Sequence, residues 1–78
     1  MMETREVFRL SMSNMEWLAD NYENLRREYD GRWIAVSGAR VVESSRNLEK
    51  LKEAIAKCVD RDSIVVEFMT TEPIAMFF

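Results

Sequence analysis

The apolar positions change period along this chain, and each change marks an element. From Met15, the residues Leu18, Tyr22, Leu25 and Tyr29 follow at steps of three and four, while Asp20, Glu23, Arg27 and Glu28 fall on the opposite side. That spacing predicts an amphipathic helix over residues 13–30. Ser13 and Glu16 form an S-x-x-E capping box at its start, with Met12 and Trp17 at the positions of a hydrophobic staple. Asp30-Gly31 ends it, because Gly31 can adopt the left-handed cap. Upstream, Phe8, Leu10 and Met12 alternate with Arg9, Ser11 and Ser13. This period of two allows a short strand, although the same residues can extend the helix backwards, with Val7 on its apolar face. Residues 1–7 read as a frayed end.

The next stretch, residues 32–43, reads as a β-hairpin. Trp33 to Val36 is apolar, Val41-Val42 answers it, and Ser37-Gly38-Ala39-Arg40 lies between. Gly38 at the first central position suits a two-residue type II′ turn, which pairs Val36 with Val41 and Ala35 with Val42. Ser44 or Ser45 is then the cap of a second helix, 45–58, whose inward stripe is Leu48, Leu51, Ile55 and Cys58. Residues 63–69 are rich in β-branched side chains and read as a strand. Pro73 breaks it, and 74–78 is an apolar end with the character of a terminal strand.

The fold class that follows is α+β: a small sheet of three to four strands with two helices on one face, in the order α-β-β-α-β(-β). The second helix crosses between the second and third strands, so those strands should run parallel. The third can lie beside the first or the second. Alternation sorts Ile34, Val36 and Val41 onto one face and Trp33, Ala35 and Val42 onto the other. Matching the third strand as Val66 and Phe68 beneath the helices leaves Trp33, Val42, Val65 and Met69 on the reverse side. An apolar reverse side needs a cover. The candidates are a chain end, a second copy or a different protein, and a homodimer is favoured because closed two-fold dimers are the commonest assembly. The expected interface is therefore Trp33, Val42, Val65 and Met69, with Phe77 and Phe78 of the apolar end.

Composition narrows the chemistry. Seventy-eight residues suit one domain, and a chain this short gains from any surface a partner buries. A net charge of −3 argues against nucleic acid or an anionic membrane as partner. No apolar run is long enough to span a bilayer. The one cysteine, Cys58, cannot close an internal disulfide, which fits a reducing, cytoplasmic setting. There is no histidine, so the commonest metal ligand and general base are both missing. Asp60, Asp62 and Glu67 are the only carboxylates that invite a catalytic reading, and their spacing matches no calcium loop. No catalytic residue, metal ligand or cofactor motif is expected. A carboxylate-dependent enzyme or a ligand-binding accessory subunit is the alternative to an interaction module.

The run Tyr29-Asp-Gly31-Arg-Trp33-Ile-Ala35-Val36, followed by Arg40-Val41-Val42, Leu48 and a strand ending in Glu72-Pro73, resembles a small domain family of unknown function found in archaea and bacteria. Its core is Tyr-x-Gly-x-Trp-(Val/Ile)-Ala-Val. The resemblance covers roughly residues 13 to 75 and implies a helix, a hairpin, a helix and an apolar strand. The turn departs from the family habit, with Gly38-Ala39 where a pair such as Asp-Gly is usual. The resemblance implies no activity.

Overall fold

The computed structural model describes residues 3–72, so the expected strand at 74–78 lies outside the described residues. Helix α1 spans Thr4–Asp20 and α2 spans Tyr22–Glu28. They are one helical run bent at Asn21, whose side-chain amide and backbone N–H both donate to the Trp17 carbonyl at 2.9 and 3.1 Å. Residues 7–12 are therefore helix, and the chain is helical from Thr4 onward rather than frayed to residue 7. The alternation of Phe8, Leu10 and Met12 does not mark a strand. The inward positions are Val7, Ser11, Asn14 and Leu18, at steps of three and four. Ser13 and Glu16 stand exposed in mid-helix, so the capping box is not used; Glu3 occupies the N-cap.

Strands β1 (Arg32–Val36), β2 (Val41–Ser45) and β3 (Val65–Met69) form one sheet in the order β2-β1-β3, with both neighbouring pairs antiparallel. Hence β2 and β3 run the same way, as a crossover requires, with β1 between them. Gly31 takes the left-handed conformation after α2 at φ 79°, and its N–H donates to the Met69 carbonyl at 2.8 Å. The hairpin closes with Ser37 N–H donating to the Arg40 carbonyl at 3.0 Å. Gly38 and Ala39 both have positive φ, 61° and 60°. Positive φ at both central residues belongs to a type I′ turn, so the expected II′ turn is corrected. The expected pair Val36–Val41 forms, but Ala35 faces Glu43 because an irregularity follows that leaves Val42 as the extra residue of a bulge.

Helix α3 (Leu48–Ala56) starts later than expected, on Asn47 rather than Ser44 or Ser45; the Asn47 side chain accepts the Lys50 N–H at 3.1 Å. Ser45 supports the cap by accepting the Asn47 N–H. A single 3-10 turn, Arg61–Ser63, leads into β3.

The α+β class and the element order hold. Two helices do share one face, but they are α1 and α2. Leu18 of α1 and Leu25 of α2 pack with Ile34, Val36 and Met69, flanked by Trp17, Tyr22, Tyr29, Val41 and Val65. Ala35 points the other way and is fully buried, and α3 lies against β1 and β2. Leu51, 1% exposed and outside the first cluster, anchors α3 on that reverse side. The sheet thus has its own helical cover on both faces. The reverse-side cover lies over β1 and β2, not β3.

The β3 register overturns one expected grouping. Val65 pairs with Val36, Glu67 with Ile34 and Met69 with Arg32. Directly paired residues share a face. Val65 and Met69 therefore lie with Ile34 in the core, and Val66 and Phe68 lie with Ala35 and Trp33. The sequence pattern alone permits either phase, since both faces of β3 are apolar.

Candidate functional site

Two surface features bear on function. The first is a polar hollow where α1, the hairpin turn and the approach to β3 meet. Asn14 is 5% exposed; its Nδ2 donates to the Ser63 carbonyl at 2.9 Å and its Oδ1 accepts the Gly38 N–H at 3.2 Å. Ser37 Oγ donates to Asp60 Oδ2 at 2.6 Å, and Ser63 Oγ donates to the Asp60 carbonyl at 3.0 Å. The hollow has a volume of about 330 Å³. Among the described residues no buried side-chain nitrogen or oxygen lacks a partner, so the buried groups here hold elements together.

The three candidate carboxylates do not converge. Asp60 belongs to this hollow, Asp62 is exposed on the 3-10 turn, and Glu67 lines a different depression beside α1. Among the described residues no group of three or more acidic, cysteine or histidine side chains is placed to hold a metal ion. Cys58 is half-buried beyond the end of α3, its Sγ 3.7 Å from the Ala54 carbonyl.

The second feature is apolar. Phe8, Met12 and Met15 are 66%, 46% and 53% exposed. They fall at steps of four and three, so they share one side of α1, next to the Asn14–Leu18 side that meets the fold. Met15 thus does not belong to the inward stripe with Leu18 and Leu25. At its C-terminal end the exposed stripe borders an open groove of about 420 Å³, lined by Met15, Leu18, Ala19, Tyr22, Val65 and Glu67. The groove runs along β3, an edge strand with one side unpaired among the described residues. The 4-3-4 spacing of Phe8, Met12, Met15 and Ala19 is visible in the sequence, but the competing inward stripe absorbs Met15 and hides it.

On the sheet's reverse side Trp33 packs against Phe68, ring centroids 5.2 Å apart and tilted by 56°. Phe68 is 39% exposed and Trp33 half-buried. Of the other expected interface residues, Val42 is half-buried at the bulge and Val65 half-buried against the core. Met69 is fully buried and offers a partner no surface. Phe77 and Phe78 lie outside the described residues.

Beyond β3, Arg26 and Asp30 hold the outgoing chain. Arg26 Nε donates to the Thr70 carbonyl at 3.2 Å and Nη2 to the Thr71 carbonyl at 3.3 Å, while Asp30 Oδ1 accepts the Thr71 N–H at 2.8 Å. These contacts tie the end of α2 to the end of β3, across more than forty residues of chain.

These features define a small α+β domain: a three-stranded sheet between two helical layers, with apolar side chains left on one helix and at one sheet edge. The chain belongs to the family of unknown function DUF5678, whose sequence model matches residues 24–71. The match runs from α2 through β3 and leaves α1 outside it. No curated protein and no solved structure matches the chain. Among the described residues no helix is long and apolar enough to cross a membrane.

Proposed function

We propose that this chain is a non-enzymatic protein-interaction module that self-associates. One observation carries the reading: α1 presents Phe8, Met12 and Met15 to solvent along one side while the side next to it is docked on the fold. Three large apolar side chains in a row on a domain this small mark a surface that gains by being covered. Trp33 and Phe68 form a second apolar patch, on the sheet's reverse side. A net charge of −3 supports protein rather than nucleic acid as the partner. The lone free Cys58 suits a cytoplasmic setting. Within the matched range, Tyr29 to Val36 serves as the family's signature, shared by archaeal and bacterial members. Its role is structural: Gly31 turns the chain from α2 into β1, and Ile34 and Val36 fill the core.

Light scattering on the full chain between about 1 and about 100 micromolar, the range of ordinary specific complexes, tests the reading. Mass should rise toward that of two copies. A single-copy mass throughout would remove it.

A further inference from the structure

We propose that a second copy of this chain docks on the α1 stripe, the two α1 helices packing antiparallel about a two-fold axis; this rests on the self-association reading above. Phe8, Met12, Met15 and Ala19 recur at steps of four, three and four, the spacing of a seam between paired helices. Antiparallel pairing centred between Met12 and Met15 sets Met12 of one copy against Met15 of the other. It also sets Phe8 against Ala19. The match in size is direct: Phe8 is the largest and most exposed side chain of the stripe, and Ala19 is the smallest and forms a wall of the groove. The phenyl ring of one copy would enter the groove between α1 and β3 of the other, where Leu18, Tyr22 and Val65 supply apolar contact. Symmetry applies the same contact twice.

Charge decides the direction. Arg9 and Glu16 lie on the same flank of the stripe, seven residues apart. A two-fold axis perpendicular to both helices brings each flank against the same flank of the partner. Arg9 of each copy therefore falls near Glu16 of the other, whereas a parallel pair, whose two-fold axis runs along the helices, sets this flank against the partner's opposite flank and leaves Arg9 and Glu16 without this pairing. Arg9 now bonds Glu6 at 3.0 Å in an exposed pair three residues apart, which leaves it free to exchange partners at little cost. Glu16 makes no ion pair among the described residues. The family match begins at residue 24, so the α1 stripe lies outside it, while Val65 and Glu67 of the groove lie within it.

Charge exchange across the axis tests the arrangement on the full chain, with the dimer dissociation constant read by sedimentation equilibrium. Arg9→Glu alone places two acids together at both symmetric contacts, and Glu16→Arg alone places two bases together. Each should weaken association about five- to tenfold, and the double variant Arg9→Glu/Glu16→Arg should return it to within about threefold of the parent. Phe8→Ala should weaken it at least about tenfold. All three positions, Phe8, Arg9 and Glu16, are exposed, so circular dichroism should confirm unchanged folding. If the parent chain associates but the single reversals shift the constant less than about twofold, or the double variant fails to recover, the antiparallel pairing is overturned and self-association by another surface stands. A parent chain that stays monomeric overturns both, and leaves the stripe to residues 73–78 or to a different protein.

Discussion

The side chain of Asn14 accepts the backbone N–H of Gly38 at 3.2 Å, joining the middle of α1 to the tip of the hairpin. The other end of the same amide donates to the Ser63 carbonyl. One residue thus joins three separate segments. Ser11 and Val7, half-buried one and two turns before Asn14, carry the same inward side of the helix back past residue 13.

Asn14→Ala should lower stability by about 1–3 kcal/mol, chiefly because it strands the carbonyl of buried Ser63; the Gly38 N–H, on an exposed residue, can turn to water. Urea unfolding followed by circular dichroism measures it. A midpoint equal to the parent's would mean that water replaces the amide freely.

Ala39 sits at φ 60°, where its Cβ crowds the backbone. Ala39→Gly should raise stability by about 0.5–1 kcal/mol: relief of this strain outweighs the added freedom of the unfolded chain. Gly38→Ala should act oppositely. It meets nothing within 4 Å, so the loss would report backbone strain alone. Thermal unfolding of both variants separates the two directions.

Neighbouring positions on β3 should differ sharply. Met69→Ala opens a cavity in the core against Leu18, Leu25 and Ile34 and should cost about 2–5 kcal/mol. Phe68→Ala removes a ring that is 39% exposed and packed at a tilt against Trp33, and should cost less. The reverse ranking in chemical denaturation would contradict the pairing of Arg32 with Met69.

Ser37 and Asp60 should prove coupled. Their 2.6 Å hydrogen bond involves a carboxylate and lies partly out of water. A double-mutant cycle with Ser37→Ala and Asp60→Asn should give about 1–2 kcal/mol of interaction energy. Additive effects would show that solvent satisfies both groups equally well.

How much of this was readable beforehand depends on the reach of each signal. Gly31 ends the helix where its freedom at positive φ predicts, and Val36 meets Val41 across the two-residue turn. Leu18, Leu25, Ile34, Val36 and Leu51 are buried as their periodicity requires. The capping box at Ser13 and Glu16 is equally plain in sequence and is not used: half-buried Val7 and Ser11 continue the inward side of α1 back past it, against a cap worth about 1 kcal/mol. The turn type is not legible, because nothing local announces that Ala39 accepts left-handed geometry. The sequence pattern places Trp33 and Phe68 on opposite faces of the sheet, whereas the register pairs them on one. Phe8, Met12 and Met15 could not be told from inward residues until the docked side of α1 was known.

The order of elements, the α+β class and most of the core belong to the sequence, because helix period, turn residues and β-branched runs act over a few neighbours. The phase of β3 against β1, the bulge at Val42 and the two-sided placement of the helices belong to the tertiary structure. Each of these is a choice between arrangements with nearly equal local energies. Contacts such as Asn14 to Ser63 and Arg26 to Thr70, made between residues far apart in the chain, tip the balance.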